Sequence, residues 1–278
     1  MKHDLHIHSN ISDGELSRND IIKILIQKDI EVVSFTEHNS FVESPKNDQI
    51  NFINGIEFDT MLEKSFHLLC YFPYYSKNIS QLITKYRNNT NDRSNELIKK
   101  IGIVHNVNLS IEELVSFFNR SYITKRDIID WIIFNGYAKS VTEAVEIFTG
   151  KNAPSYVPKF SLDFQEVVIT IKNIGGYVFL AHPVTLKLDD IEFEKFILTL
   201  KDNGLDGIEV INLSKITDVE MKKLKYIADK LELLTCGGSD FHNVNKHNLG
   251  VDGDESDILI KRLINKFIYK ELSRILLS

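Results

Sequence analysis

The chain has 278 residues, of which 43% are hydrophobic and 26% are charged, a composition typical of a globular protein with its own core. The formal net charge of −6 argues against a protein that coats nucleic acid. No apolar run is long enough to span a membrane, the N-terminus lacks a signal peptide's apolar core, and the two cysteines, Cys70 and Cys236, suit a reduced, cytoplasmic protein without disulfides.

The first predicted element is a strand over residues 2–8 that contains two closely spaced histidines. Side chains alternate across a strand, so Asp4, His6 and His8 should share one face. Imidazoles in this arrangement can bind one metal ion. Two histidines on a half-buried strand can equally well be hydrogen-bonded without a metal, so the motif alone leaves both alternatives open.

Strand and helix patterns alternate up to residue 78. Ser17 is predicted to cap a helix over 17–28, with Asp20 completing a weak capping box. Strands are predicted over 31–36, 51–59 and 66–72.

The two last strands of this part are expected to form an antiparallel pair. A turn centred near Leu62 would place Glu57 directly opposite His67.

Helical patterns alone fill the next part of the chain. They cover 79–105, 110–119, 125–136 and 140–149, and the last is predicted to end at Gly150. Between residues 77 and 126 there are nine Lys and Arg against four acidic residues, a local excess of five positive charges. Most of these charges are expected on solvated helix faces, but the excess could attract an anionic substrate.

Alternation resumes in the C-terminal part. Strands are predicted over 177–181, 207–211 and 233–236, and helices over 163–174, 190–202, 216–231 and 255–276. Repeated strand–helix units predict a parallel barrel or a doubly wound sheet.

Six of the nine histidines fall at or near predicted strand ends, together with three carboxylates: His6, His8, His38, His67, His182, His242, Asp13, Glu57 and Asp240. In α/β barrels the active site lies at the carboxyl ends of the strands. Any one of these histidines could be a satisfied core residue. The whole set contains too many ligands for one tetrahedral ion and therefore indicates two or three ions.

The motifs that carry these residues resemble those of one family. In order along the chain they are DLHIHSNISDG, TEHN, GIEFD, FHLLCYF, LAHP and GSDFH, and they resemble the PHP (polymerase and histidinol phosphatase) family of metal-dependent phosphoesterases. The segment GKNAPSYVP looks like the branch with a helical insertion, which includes nucleoside 3′,5′-bisphosphate phosphatases and enzymes that trim RNA from its 5′ end.

This resemblance implies a fold and a site. The fold would be a distorted (β/α)7 barrel over 1–78 and 156–278, with an all-helical insertion over 79–155 as a substrate lid. Two to three divalent ions, Mn, Zn or Fe, would be bound. The first would be held by His6, His8, Glu57 and Asp240, the second by Glu57, His67 and His182, and the third by Asp13, His38 and His242.

The implied reaction is hydrolysis of nucleotide phosphate esters by a metal-bridging hydroxide, with Glu57, Asp240 and His242 as catalytic residues. Arg126, Lys151 and Lys159 are candidates for holding a second phosphate, although each could be an ordinary surface charge.

Two residues depart from the family pattern. Glu37 stands where the family usually has Asp, and Asp127 stands where a histidine is usual in the insertion. Neither is an expected metal ligand, so the departures put substrate preference in doubt rather than hydrolysis.

From this resemblance we expect the preferred substrate to be a nucleoside 3′,5′-bisphosphate or a similar phosphomonoester. A 5′–3′ exoribonuclease acting on short RNA and a histidinol-phosphate-type phosphatase are the alternatives within the family. An amidohydrolase, which also begins with His-x-His on a barrel, and a non-catalytic PHP scaffold are further alternatives. We expect the partner to be a small phosphorylated substrate, a nucleotide or short RNA, and expect neither a membrane nor a stable protein partner.

Overall fold

The computed structural model describes residues 1–119, 122–245 and 248–265. The strands are β1 (Lys2–Ile7), β2 (Val32–Phe35), β3 (Asn51–Phe52), β4 (Asn54–Met61), β5 (Ser65–Phe72), β6 (Leu162–Asp163), β7 (Tyr177–Leu180), β8 (Gly207–Asn212), β9 (Leu234–Gly238) and β10 (Val251–Asp252). The α-helices are α1 (Arg18–Gln27), α2 (Lys77–His105), α3 (Ile111–Phe118), α4 (Lys125–Phe134), α5 (Val141–Ala144), α6 (Phe164–Asn173), α7 (Asp190–Asp202) and α8 (Asp218–Lys230). A further helix covers 257–265 at the end of the described chain, within the predicted 255–276; residues 266–276 of that prediction lie outside the described residues.

The chain divides into two compact units. The first comprises Met1–Ser80 and the described chain from Leu162 onward, and the second comprises Gln81–Ser161. Among the described residues, no helix is both long enough and apolar enough to cross a lipid bilayer.

The first unit is built on two sheets of mixed direction. One has the strand order β10-β1-β2-β3 and the other β6-β4-β5-β7-β8-β9. Strands β1, β2 and β3 run parallel, as do β7, β8 and β9. Isolated β-bridges between Ile7 and Phe241 and between His38 and Glu57 link the two sheets. The segments that carry the histidines are therefore joined from one sheet to the other by backbone pairing.

The predicted third strand over 51–59 is in fact two strands. Asn51–Phe52 pairs with β2 in the first sheet, whereas Asn54–Met61 pairs with β5 in the second. The chain changes sheet at Ile53, whose backbone N–H still bonds to Val33 O at 2.8 Å.

The predicted register of the β4–β5 pair was wrong. Asp59, not Glu57, lies opposite His67, and Glu57 lies opposite Leu69. The turn is centred on Glu63, one residue later than expected, and Met61 pairs with Ser65 around it. Glu57 and His67 are therefore diagonal neighbours on one face, which still permits contact between their side chains.

Apolar residues fill the interior of the first unit. Leu5 on β1 packs in one buried cluster with Tyr71 on β5 and Phe179 on β7. Ile7 packs in a second cluster with Ile21 and Leu25 of α1. The predicted cap of α1 is confirmed, since the Ser17 side chain accepts a hydrogen bond from Asp20 N.

The second unit consists of helices around its own core, in which Leu97, Ile128 and Trp131 are buried. The helix predicted over 140–149 is α-helical only over Val141–Ala144 and continues as a π-helical turn over Val145–Thr149. It ends at Gly150 as predicted, where Gly150 N donates to Val145 O at 2.6 Å.

Candidate metal centre

Glu57 lies at the centre of the histidine cluster. It is on β4 and fully buried. Its Oε1 is 2.8 Å from His67 Nδ1 and 2.9 Å from His182 Nε2. Its Oε2 is 3.2 Å from His6 Nε2, 3.0 Å from His8 Nε2 and 3.3 Å from His38 Nδ1. One carboxylate thus contacts five imidazoles from distant parts of the chain.

Asp240 is the second buried carboxylate of the cluster and follows β9. Its Oδ1 is 3.5 Å from His6 Nε2, His8 Nε2 and His242 Nδ1. Lys215 Nζ forms an ion pair with the other oxygen, Oδ2. The two oxygens therefore face different partners, imidazoles on one side and an ammonium on the other.

Asp13 is the third carboxylate and is about half exposed. Its Oδ1 lies 3.4 Å from His242 Nε2 and 3.8 Å from His8 Nδ1, and its Oδ2 lies 3.8 Å from His38 Nε2. This part of the cluster is the one nearest to solvent, because the Asp13 side chain is 52% exposed.

Close backbone approach between β1 and β9 makes this arrangement possible. A Cβ added at Gly238 would lie 2.5 Å from His6 N, much too close for a real contact. Only glycine allows β9 to reach this position, from which Asp240 N donates to His6 O at 2.8 Å. The Gly-Ser-Asp sequence thus brings Asp240 next to His6.

Among the residues that the structure describes, the ligand atoms form four overlapping groups, and the atoms of each group lie within 4.8 Å of one another. These groups are His8, Asp13, His38 and His242; His6, Glu57 and His182; His6, His8 and Asp240; and His38, Glu57 and His67. All nine residues predicted as metal ligands therefore lie in one cluster.

The chemistry of these donors fits divalent cations. Within the described part of the chain, His8 Nδ1, His38 Nδ1 and Asp240 Oδ1 are buried and form no well-aligned hydrogen bond, despite their nearby ring and carboxylate atoms. Buried polar atoms of this kind are costly unless they bind something. His6 Nε2 and His8 Nε2 face each other at 3.1 Å. Mixed imidazole and carboxylate donors suit Zn, Mn and Fe alike.

Protonation of the cluster reflects competition between burial and charge. Burial would raise the pKa of Glu57, but the imidazoles of His38, His6 and His67 hold it well below its usual value. Burial lowers the pKa of His38 to about 4, so this imidazole is neutral and able to bind a metal at pH 7. Burial lowers the pKa of His67 as well, but Glu57 and Asp59 raise it to about 9. Protons and cations compete for such groups, so metal affinity should rise with pH.

Sequence reasoning missed several residues that contact the cluster. Glu209 on β8 is fully buried, and its Oε1 lies 2.8 Å from His6 Nδ1. Asp59 Oδ1 lies 2.6 Å from His67 Nε2. A carboxylate in the middle of an apolar strand, as in Gly-Ile-Glu-Val, is unusual, and that signal could have identified Glu209.

Asp4, expected on the same face as His6 and His8, belongs to none of the ligand groups. Its Oδ1 accepts a hydrogen bond from Ser239 N at 2.9 Å and its Oδ2 accepts one from Gly250 N at 2.9 Å. Its role is to fix the ends of neighbouring segments against β1.

Both departures from the family pattern have structural partners. Glu37 is fully buried and accepts hydrogen bonds from Ser9 N at 3.0 Å, Ser12 Oγ at 2.6 Å and Arg18 Nε at 3.1 Å. These donors all lie between β1 and the first turn of α1, so Glu37 fixes the loop that carries Asp13.

Asp127 caps a helix. Its Oδ2 accepts hydrogen bonds from Thr124 N and Thr124 Oγ1 at the start of α4, which completes a capping box.

The three predicted substrate-binding residues all lie in the second unit. Arg126 is 65% exposed and forms an ion pair with Asp130 at 2.9 Å. Lys151 and Lys159 are exposed. Burial lowers the pKa of Lys125, and the positive charges of Arg93 and Lys159 lower it further. Like charges are therefore concentrated in this part of the unit.

A buried set of imidazole and carboxylate donors at strand ends is the kind of site that metal-dependent hydrolases use. Comparison with known proteins agrees. The model of the PHP domain family matches residues 4–153, and the chain therefore belongs to the PHP domain family.

Relatives in sequence act on phosphate esters. The chain is 23% identical over 252 residues to a 5′-3′ exoribonuclease of Haemophilus influenzae, covering 87% of this chain and 90% of that protein. It is 22% identical over 247 residues to a 3′,5′-nucleoside bisphosphate phosphatase of Chromobacterium violaceum, covering 86% of each. The chain is a PHP-family hydrolase that acts on phosphoester bonds.

Solved structures show the same fold. A chain from Bifidobacterium adolescentis assigned as a metal-dependent phosphoesterase matches with a TM-score of 0.75 and 21% identity, over 94% of this chain and 96% of that one. A Chromobacterium violaceum protein described as an amidohydrolase, with bound sulfate, matches with a TM-score of 0.73 and 20% identity, over 90% and 91%.

Proposed function

We propose that this chain hydrolyses phosphate monoesters of nucleotides, with a nucleoside 3′,5′-bisphosphate as the preferred class of substrate. The observation that carries the proposal is the Glu57 carboxylate, fully buried and within 3.3 Å of five imidazole nitrogens. A carboxylate in this position could be a ligand of two cations, and two-cation sites are one arrangement by which enzymes hydrolyse phosphate esters.

The proposed architecture is a distorted (β/α)7 barrel over 1–78 and 156–278 with an all-helical insertion over 79–155 as a substrate lid. In support, the two sheets of the first unit are bridged at Ile7–Phe241 and at His38–Glu57, as closure of a barrel would require. The helices of the second unit have their own core around Trp131, as expected of an insertion.

Two to three ions are proposed, each of which would be held by one set of the ligands. The sets are His6, His8, Glu57 and Asp240; Glu57, His67 and His182; and Asp13, His38 and His242. When bound, such cations neutralise phosphoryl oxygens and lower the pKa of a water molecule towards neutrality.

Glu57, Asp240 and His242 are the proposed catalytic residues. In support, Asp240 Oδ1 lies 3.5 Å from a ring nitrogen of each of His6, His8 and His242, so these side chains converge on one point. His242 is at the more exposed edge of the cluster, 23% exposed, and we place it beside the leaving oxygen.

Arg126, Lys151 and Lys159 are proposed to hold a second phosphate. The concentration of like charges around Lys125, with Arg93 and Lys159, supports an anion-binding role for this unit. The ion pair of Arg126 with Asp130 means that Arg126 would have to exchange an exposed partner for phosphate, which costs little because exposed pairs are weak.

A 5′–3′ exoribonuclease is the second candidate function, favoured by the similarity to the Haemophilus influenzae enzyme. The two reactions share their chemistry and differ in whether the substrate continues beyond the first nucleotide.

Hydrolysis with added Mn²⁺ should be measured on a nucleoside 3′,5′-bisphosphate, a 5′-phosphorylated RNA oligomer, histidinol phosphate and a simple amide. We expect the highest kcat/KM for the bisphosphate. Faster release of mononucleotides from RNA would establish the exoribonuclease instead. Metal-loaded protein that hydrolyses none of the phosphate esters would overturn the proposal.

A further inference from the structure

Glu209 joins residues from three segments of the metal centre. Its Oε1 lies 2.8 Å from His6 Nδ1 on β1. Its Oε2 accepts a hydrogen bond from the backbone N of His182, just after β7, at 2.5 Å. Asn212 Nδ2 is 3.2 Å from the same Oε2 and 3.3 Å from Asp240 Oδ2. A single buried side chain thus links the segments that carry His6, His182 and, through Asn212, Asp240.

The contact with Glu209 decides which nitrogen of His6 carries the proton. A carboxylate has no hydrogen-bond donor of its own, so the His6 Nδ1 that faces Glu209 Oε1 carries the proton and donates it. In the neutral ring that a metal ligand requires, the opposite nitrogen, Nε2, presents its lone pair to the space shared with Glu57 Oε2, 3.2 Å away. This is the tautomer that a metal ligand needs.

The contact with His182 holds an unfavourable backbone conformation. His182 has φ 28° and ψ 63°, in the left-handed region that residues other than glycine rarely adopt. The hydrogen bond from its N–H to Glu209 Oε2 stabilises that conformation, from which the ring places Nε2 2.9 Å from Glu57 Oε1.

We propose that Glu209 is a positioning residue of the metal centre: it fixes His6 in the Nδ1–H tautomer and holds His182, so that both present Nε2 to the ions bound by Glu57. The inference rests on the proposed metal-dependent function. Carboxylates that accept a hydrogen bond from a ligand histidine commonly raise metal affinity 10- to 100-fold, and here one carboxylate serves two ligands.

Glu209→Gln tests the role of the acceptor with almost no change in size. A glutamine has one acceptor oxygen and one NH₂ donor. The His182 N–H can only donate, so the glutamine oxygen must take the place of Oε2 and the NH₂ must face His6 Nδ1. His6 then favours the Nε2–H tautomer, whose proton points to the metal position.

Mn²⁺ binding to metal-free protein should be measured by calorimetry for the wild type, Glu209→Gln, Glu209→Asp and the exposed control Glu192→Gln on α7. We expect Glu209→Gln to weaken one or more Mn²⁺ sites about 10- to 100-fold. Glu209→Asp keeps an acceptor-only carboxylate and should bind Mn²⁺ more tightly than Glu209→Gln. The control should match the wild type.

A second readout follows the His6 tautomer directly. In Zn²⁺-loaded, ¹⁵N-histidine-labelled protein, NMR should show a hydrogen-bonded Nδ1–H signal that is present in the wild type and in Glu209→Asp and lost in Glu209→Gln. A structural role alone would lower the melting temperature of both variants without separating them in this spectrum.

The outcomes separate the two proposals. Wild-type protein that binds no Mn²⁺ would overturn the metal-dependent function and this inference with it. Wild-type binding with an unchanged Glu209→Gln, or a Glu209→Asp no better than Glu209→Gln in both readouts, would overturn the role of Glu209 and leave the proposed function standing. Should Glu209→Gln fail to fold, Glu209→Asp is compared with the wild type instead. The proposal then requires Glu209→Asp to bind Mn²⁺ within about 10-fold of the wild type and to keep the Nδ1–H signal, and loss of either would overturn it.

Discussion

Replacing Glu57 by Gln keeps the shape of the side chain and removes its negative charge. In the structure this charge faces five imidazoles, at distances from 2.8 to 3.3 Å. The amide has one acceptor oxygen in place of two, so one of the two ions proposed to share Glu57 would lose its anionic ligand. Metal occupancy and turnover should both fall.

The expected size of the effect follows from the place of Glu57 between two ions. Changes to residues that only support a ligand cost about 10- to 100-fold, and Glu57 is itself proposed to bind both ions. Turnover should therefore fall more than about 100-fold, which corresponds to at least about 2.7 kcal/mol in the activation free energy.

The assay is steady-state hydrolysis of a nucleoside 3′,5′-bisphosphate, with metal content measured on the same samples. Glu63→Gln is a matched control, since Glu63 is exposed in the turn that follows the same strand and should retain wild-type activity. Glu57→Gln protein that is fully loaded with metal and retains more than about a tenth of wild-type turnover, a loss under about 1.4 kcal/mol, would refute the shared role of Glu57.

Three further predictions concern the ions, the substrate and the fold. Purified protein reconstituted with Mn²⁺ or Zn²⁺ should hold two to three ions per chain by elemental analysis, because the ligand groups are too many for one tetrahedral ion; at most one ion would contradict the proposed centre. Alanine at Arg126, Lys151 or Lys159 should weaken binding of a bisphosphate by about 10- to 150-fold while leaving an aryl phosphate and the metal content unchanged; equal losses on both substrates would place these residues at the reacting phosphate. Glu37→Gln should lower the free energy of unfolding by about 3–5 kcal/mol, because it leaves Arg18 buried without its carboxylate. Burial alone would raise the pKa of Glu37, but Arg18, Ser12 and Ser9 have the larger, opposite effect and hold it below its usual value. The stabilisation by the Glu37 carboxylate is therefore complete above the unfolded pKa of about 4.3 and is lost as the pH falls through the lower folded pKa. Urea denaturation of both proteins at pH 7 and pH 3 checks this, and a difference that does not shrink at pH 3 would show that the carboxylate charge is not responsible.

Local chemistry was enough to predict much of this protein. Alternation and apolar periodicity predict helices and strands close to those observed, because both patterns are set by neighbours in sequence. Ser17 begins α1 for the same reason, since a cap involves residues only three positions apart. The nine candidate ligands could be selected because His, Asp and Glu at strand ends converge in α/β folds.

Tertiary structure alone decided how those residues pair. Glu57 was predicted opposite His67, but a turn centred one residue later puts Asp59 there, and a shift of one position in a turn leaves almost no trace in the pattern of apolar residues. Glu209 contacts His6 across 203 residues of sequence, a separation over which periodicity and spacing carry no information. Asp4, on the face shared by His6 and His8 in an ideal strand, instead accepts hydrogen bonds from the backbone of Ser239 and Gly250. A sequence states which groups are available for binding, whereas partners and tautomers depend on which strands meet, and that is fixed only when the whole core has packed.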